Sequence, residues 1–289
     1  MRTWLAFALR LLLLHELFAG SASAATWPVA GLLQTPTSLF ATPLAIANQQ
    51  CGVVRATHIY LPQQQVAAPL AMLTQWHRHS LAPYLNCFTV NTYSLQALHC
   101  EQHGERGRAH CQVDGMRTTD SQAIIFVPID QGIAFNDSRR IVLPVDASLG
   151  LFAHEVAHWL GFVDEYPMTA ELAQDYCAGR YQHPSLNVVV TRKRRVSEAE
   201  LIALWERLPW RFAVADWRDL ATPRDNGQWQ LGSEVADTAS TKEQVGLFPV
   251  QTCASTQYYA WRPVHEYTPM QYHDVYQWPA VYLMLLNAR

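Results

Sequence analysis

Apolar and polar positions along this chain fall into segments with two different periods. Residues 53–61 (VVRATHIYL) and 87–95 (CFTVNTYSL) are rich in β-branched and aromatic side chains and read as strands. Between them Leu70, Leu73 and Trp76 recur at helical spacing, which predicts a helix over 65–79 with Pro69 near its start. Three short apolar runs follow, 123–129 (AIIFVPI), 132–135 and 140–145 (RIVLPV), separated by turn residues. Asp146 or Ser148 can cap a helix over 149–160, which Gly161 can end. This order of elements predicts helices packed on a mixed sheet, an α+β fold with α/β as the alternative. Downstream, Ser197-Glu198-Ala199-Glu200 forms a capping box that opens a helix to about Arg207. Residues 209–262 are rich in Trp and turn residues and show no clear period. The segment 274–286 predicts a final helix with Pro279 in its first turns.

Composition adds an address. Arg2 precedes an apolar stretch whose densest part is Leu11 to Leu14, and Ala22-Ser23-Ala24 has the small-x-small form of a cleavage site. Residues 1–24 therefore read as a signal peptide and 25–50 as an arm or short pro-segment. No later stretch has the length of apolar residues that a spanning helix needs, so no stable membrane insertion is expected after cleavage. The formal net charge of −3 carries no electrostatic footprint for nucleic acid. All six cysteines lie beyond the cut, and in an exported chain they read as disulfides. A Cys100–Cys111 bridge closing a polar hairpin is preferred over a metal site built from His99, Cys100, His103, His110 and Cys111. The expected location is secreted or periplasmic.

The chemistry is concentrated in His154-Glu155-Val156-Ala157-His158-Trp159-Leu160-Gly161-Phe162-Val163-Asp164-Glu165-Tyr166. His154 and His158 are four apart on a predicted helix, so both imidazoles share one face and can reach one Zn2+ ion. Glu155 sits where a general base for a zinc-activated water belongs. Gly161 can turn the chain sharply and bring Asp164 back as a third ligand, leaving an open position for water. Glu171 with Asp175 offers an alternative third ligand from a later helix, and Glu165 and His265 are further candidates. Arg192-Lys193-Arg194-Arg195 reads as a solvated loop, with a processing or docking site as the alternative.

The stretch HEVAHWLGFVDEY resembles the elongated zinc signature of metzincin metallopeptidases, and its Asp164-Glu165-Tyr166 ending is similar to secreted bacterial peptidases of the IgA-peptidase type. The resemblance implies a zinc endopeptidase acting on protein or peptide substrates. It implies residues 51–165 as a sheet subdomain with the active-site helix, and 166–289 as a C-terminal subdomain ending in a helix. It also implies a methionine-containing turn below the metal, for which Thr268-Pro269-Met270-Gln271-Tyr272 is the candidate. Tyr272 would then bind the metal weakly or donate to the oxyanion. The turn lies far beyond Asp164, so 167–266 is an insertion relative to compact members. Two other readings stay open: a non-catalytic binding protein on this fold, and a zinc hydrolase of a cell-wall or other non-protein substrate.

Overall fold

The computed structural model describes residues 56–104, 107–116, 122–131, 134–180, 185–235 and 243–288. The signal peptide, the arm and the start of the first expected strand lie outside the described residues. Five strands form the main sheet: β1 (Thr57–Pro62), β2 (Phe88–Tyr93), β5 (Ala123–Val127), β6 (Phe135–Asn136) and β7 (Arg140–Pro144). Their order is β2-β1-β5-β7-β6. The first four run parallel, and β6 pairs antiparallel with β7 at the edge. The crossover from β1 to β2 contains helix α1 (Ala67–Trp76), preceded by a short 3-10 turn at Gln63–Gln65. This is a mixed α+β fold.

Both faces of the sheet are covered, which is why its central strand is continuously apolar. All five residues of β5 are buried. Ile59, Leu61, Ile124, Phe126, Ile141 and Leu143 pack with Trp76 of α1 and with Phe152, Ala153 and Val156 of α2 (Leu149–Trp159). On the other face Tyr60, Ile125, Val127 and Val142 pack with Ala109, Cys111 and Val113. These last three belong to β4 (Arg108–Val113), which forms a hairpin with β3 (Leu98–His103). Cys100 and Cys111 face each other in the hairpin register and are disulfide-bonded, as the spacing suggests. Cys87 is also disulfide-bonded.

The region without a sequence period is built largely from short antiparallel strands. Helix α3 (Ala170–Cys177) leads to β8 (Val189–Thr191) and β9 (Arg195–Val196). Arg192–Arg195 is exposed, in and just before β9. Helix α4 (Glu198–Arg207) opens with the expected capping box of Ser197 and Glu200. Four further strands follow: β10 (Ala221–Pro223), β11 (Trp229–Leu231), β12 (Phe248–Val250) and β13 (Tyr259–Arg262). They complete two three-stranded sheets, β10-β11-β9 and β12-β13-β8. The Cys177–Cys253 disulfide joins the end of α3 to the segment after β12.

Two expectations need correction. The last helix, α5 (Ala280–Asn287), begins only after Pro279, which is its N-cap in an extended conformation. A proline ring disfavours helical geometry in the residue before it, so Trp278 cannot continue a helix begun at 274. The first helix ends at Trp76 rather than near His79. The edge strand expected over 132–135 is described only from Ala134 onward, and its paired part is Phe135–Asn136.

Candidate metal centre

Helix α2 enters through Ser148, whose hydroxyl accepts from the Leu151 amide at 3.1 Å. Its apolar face meets the sheet, and the opposite face carries His154, Glu155 and His158 into a cavity of about 850 Å³. The helix stops in a paired-bond cap. Gly161 donates to the His158 carbonyl and Phe162 donates to the Ala157 carbonyl, both at 3.0 Å. This cap needs a left-handed residue, and Gly161 supplies it at φ 95°. The reversal aims the Phe162 carbonyl at His158 Nδ1 (3.0 Å) and carries Asp164 back over the helix.

His154, His158 and Asp164 converge. Both imidazole Nε2 atoms stand 3.1 Å from Asp164 Oδ1. That oxygen is buried, yet it makes no hydrogen bond of acceptable geometry with either ring. The three donor atoms all lie within 4.8 Å of one another, and the two nitrogen–oxygen separations of 3.1 Å match the edge of a small coordination polyhedron, since metal–nitrogen and metal–oxygen bonds of about 2.0–2.2 Å subtend edges of that size. The far nitrogens fix the lone pairs. Nδ1 of His154 lies 2.8 Å from the Pro269 carbonyl, and Nδ1 of His158 faces Phe162. A carbonyl can only accept, so each Nδ1 carries the proton and each Nε2 is free to ligate. This buried group could hold a metal ion, and it is the one group of three such ligands among the described residues.

The electrostatics point the same way. Burial works against charge on His158, but the Asp164 carboxylate, helped by Glu155 and the Phe162 carbonyl, outweighs it and pushes the imidazole up to about 9. Burial would also raise Asp164, and the two facing imidazoles instead hold it well below the usual carboxylate range. The convergence point therefore favours positive charge, which a divalent cation supplies in place of a proton.

A second layer holds the ligand loop. Asn187 is fully buried and clamps Val163, accepting from its amide (2.8 Å) and donating to its carbonyl (2.9 Å). Thr252 donates to the Asp164 carbonyl at 2.8 Å. Glu165 is fully buried and accepts from Asn187 (2.8 Å), Arg262 (2.9 Å), Thr268 (2.6 Å) and the Tyr282 hydroxyl. Its own amide donates to the Met270 carbonyl at 3.0 Å. Met270 is fully buried, in a turn where Gln271 and Tyr272 donate to the Thr268 carbonyl. The turn thus supports His154 through Pro269 and Glu165 through Thr268 and Met270.

The other candidates lie elsewhere. Glu171 is exposed on α3, and Asp175 pairs with Arg180 at 2.8 Å. His265 is exposed beside Phe248. Tyr272 is 48% exposed, edge-on to Tyr267, and is not in the cavity wall. The phenol that does line the cavity next to the ligands is Tyr166, stacked on His154 with ring centroids 6.1 Å apart. Burial first, and then the neighbouring Asp164 carboxylate, keep Tyr166 protonated far above its ordinary range.

Sequence reading missed Asn187, Thr252, Arg262 and Tyr282. The one signal available was a polar residue alone in an apolar run, as Asn187 and Arg262 are in SLNVVV and YAWRPV. The Cys100–Cys111 and Cys177–Cys253 bridges suit an oxidising compartment, and no helix among the described residues is long and apolar enough to cross a membrane. No protein-family model matches this chain, nor does any curated protein.

Proposed function

We propose that this chain is an exported zinc metallopeptidase of metzincin type that hydrolyses peptide bonds. The observation that carries the reading is the convergence of His154, His158 and Asp164, with Glu155 on the same face of α2, in one wall of a cavity large enough for several residues of a peptide. Two neutral imidazoles and one carboxylate are a donor set zinc accepts, and three protein ligands leave a position open, as catalytic rather than structural sites do. The parallel sheet with its antiparallel edge strand, and the buried turn at Met270, agree with the metzincin resemblance.

When bound, zinc supplies Lewis acidity and lowers the pKa of water. Glu155 accepts the proton of the attacking water and returns it to the leaving amine. Tyr166, held protonated in the cavity wall beside Asp164, would be the phenol to donate to the oxygen on which negative charge develops. Asn136 donates to the Glu155 backbone carbonyl at 2.6 Å, which ties the edge strand, a ready partner for an extended substrate, to the residue acting as base.

Purified protein is expected to hold about one zinc per chain and to cleave peptides. Glu155→Gln should keep the zinc and lose at least about 100-fold in turnover, the scale of a general base. Asp164→Ala should lose the zinc itself, read by elemental analysis after dialysis. Full turnover in Glu155→Gln, or an active metal-free protein, overturns the proposal.

A further inference from the structure

The cavity wall holds a cation that the hydrolytic machinery does not use. Arg108 opens β4 at the end of the hairpin and lines the same cavity as His154, Glu155 and Asp164. Residues two apart on a strand share a face, and His110 on that face packs on Phe135 of the edge strand with ring centroids 3.7 Å apart. Arg108 therefore stands beside the edge where Asn136 grips α2. Beyond its backbone place in the hairpin, its guanidinium makes no hydrogen bond or ion pair with the described residues.

The charges facing Arg108 can be counted. Of the carboxylates in the wall, Asp137 already pairs with Arg140 (3.5 Å) and accepts from the amides of Arg139 and Arg140. Asp164 and Glu155 together offset the two positive charges of a bound zinc. Among the described carboxylates of the wall none pairs with Arg108, and in a partly enclosed, low-dielectric wall a guanidinium favours a bidentate carboxylate partner. The remaining wall is largely apolar on another side, where Val163, Met168, Leu172 and Tyr176 contribute.

Resting on the peptidase reading, we propose that Arg108 is a specificity-determining residue that binds a substrate carboxylate close to the scissile bond. The carboxylate is an acidic side chain or the free C-terminus of a peptide. Both offer the same two oxygens to the guanidinium, and peptide design separates them.

The experiment reads binding apart from turnover. Zinc-loaded Glu155→Gln protein is titrated with dansyl-labelled hexapeptides that carry Glu, Gln or Lys at each central position and an amidated C-terminus. The Gln set is repeated with a free C-terminus. Peptides with a carboxylate within reach should bind roughly 10- to 100-fold more tightly than their amidated Gln counterparts. Arg108→Gln, in the same background, should bring that ratio close to one, Arg108→Lys should restore part of it, and Arg108→Glu should turn the preference towards Lys. Equal binding of Glu, Gln and Lys peptides overturns the proposal, as does an acidic preference that survives Arg108→Gln, or no binding by any peptide. Turnover by the wild-type chain is scored separately, so carboxylate binding without cleavage counts against the peptidase reading and for the role of Arg108.

Discussion

Glu165 is the residue on which the centre's outer layer depends. It follows a metal-ligand candidate in sequence but points away from the cavity, into a pocket closed by Arg262, Asn187, Thr268 and Tyr282. Four donors to one carboxylate satisfy a charge that burial would otherwise make very costly. Removing it leaves the Arg262 guanidinium, itself 5% exposed, without a counter-ion. Glu165→Ala is therefore expected to cost about 3–5 kcal/mol of stability, measured by chemical denaturation. It should also weaken metal retention, because the same carboxylate positions the loop that bears Asp164. A loss within about 0.5 kcal/mol would mean that the network is not the brace described here.

At the scale of elements, the centre is a helix, its termination and a turn. Helix α2 alone presents two imidazoles, but the third ligand arrives only because Gly161 reverses the chain within one residue. An alanine at that φ carries left-handed strain, so Gly161→Ala should lower stability by about 1–2 kcal/mol and displace Asp164. The expected signature is a melting temperature that falls in the zinc-loaded protein by more than in the chelator-treated one. At the other end of α2, Gly150 permits a close approach: a methyl group there would stand 2.0 Å from the His273 carbonyl oxygen. The helix is thereby packed at both ends against the chain that supports its ligands.

The molecule as a whole brings distant segments to one place. The ligand loop is held by Asn187, Thr252, Arg262, the turn at Thr268 to Tyr272 and α5, so residues that read as an aperiodic insertion supply much of its support. The Cys177–Cys253 bridge spans 76 residues and sits in a small core with Val163, Met168, Ala173 and Tyr176, behind the apolar wall of the cavity. Replacing both cysteines with serine should cost about 2–4 kcal/mol, since the bridge restricts a long loop of the unfolded chain. Because Thr252 adjoins Cys253 and holds Asp164, metal retention should weaken as well, read by competition with a chelator. Unaltered stability in the double variant would show that the core holds this wall without the bridge.

The amino-acid sequence by itself determined what depends on near neighbours. The i, i+4 spacing of His154 and His158 on a helix, the cap at Ser148, the reversal at Gly161, the capping box at Ser197 and the hairpin pairing of Cys100 with Cys111 are all consequences of geometry over a few residues. Local rules also misjudged the last helix, where Pro279 begins the element instead of lying within it. Only the tertiary structure decided which carboxylate completes the group, because Asp164, Glu165 and Glu171 are chemically alike and differ in what the fold places around them. It also decided that Tyr166 lines the cavity while Tyr272 faces solvent, and that Arg108 shares a wall with Glu155. Those contacts join residues far apart in the chain, and their partners are chosen by packing and by the need to satisfy buried charge, neither of which leaves a period in the sequence.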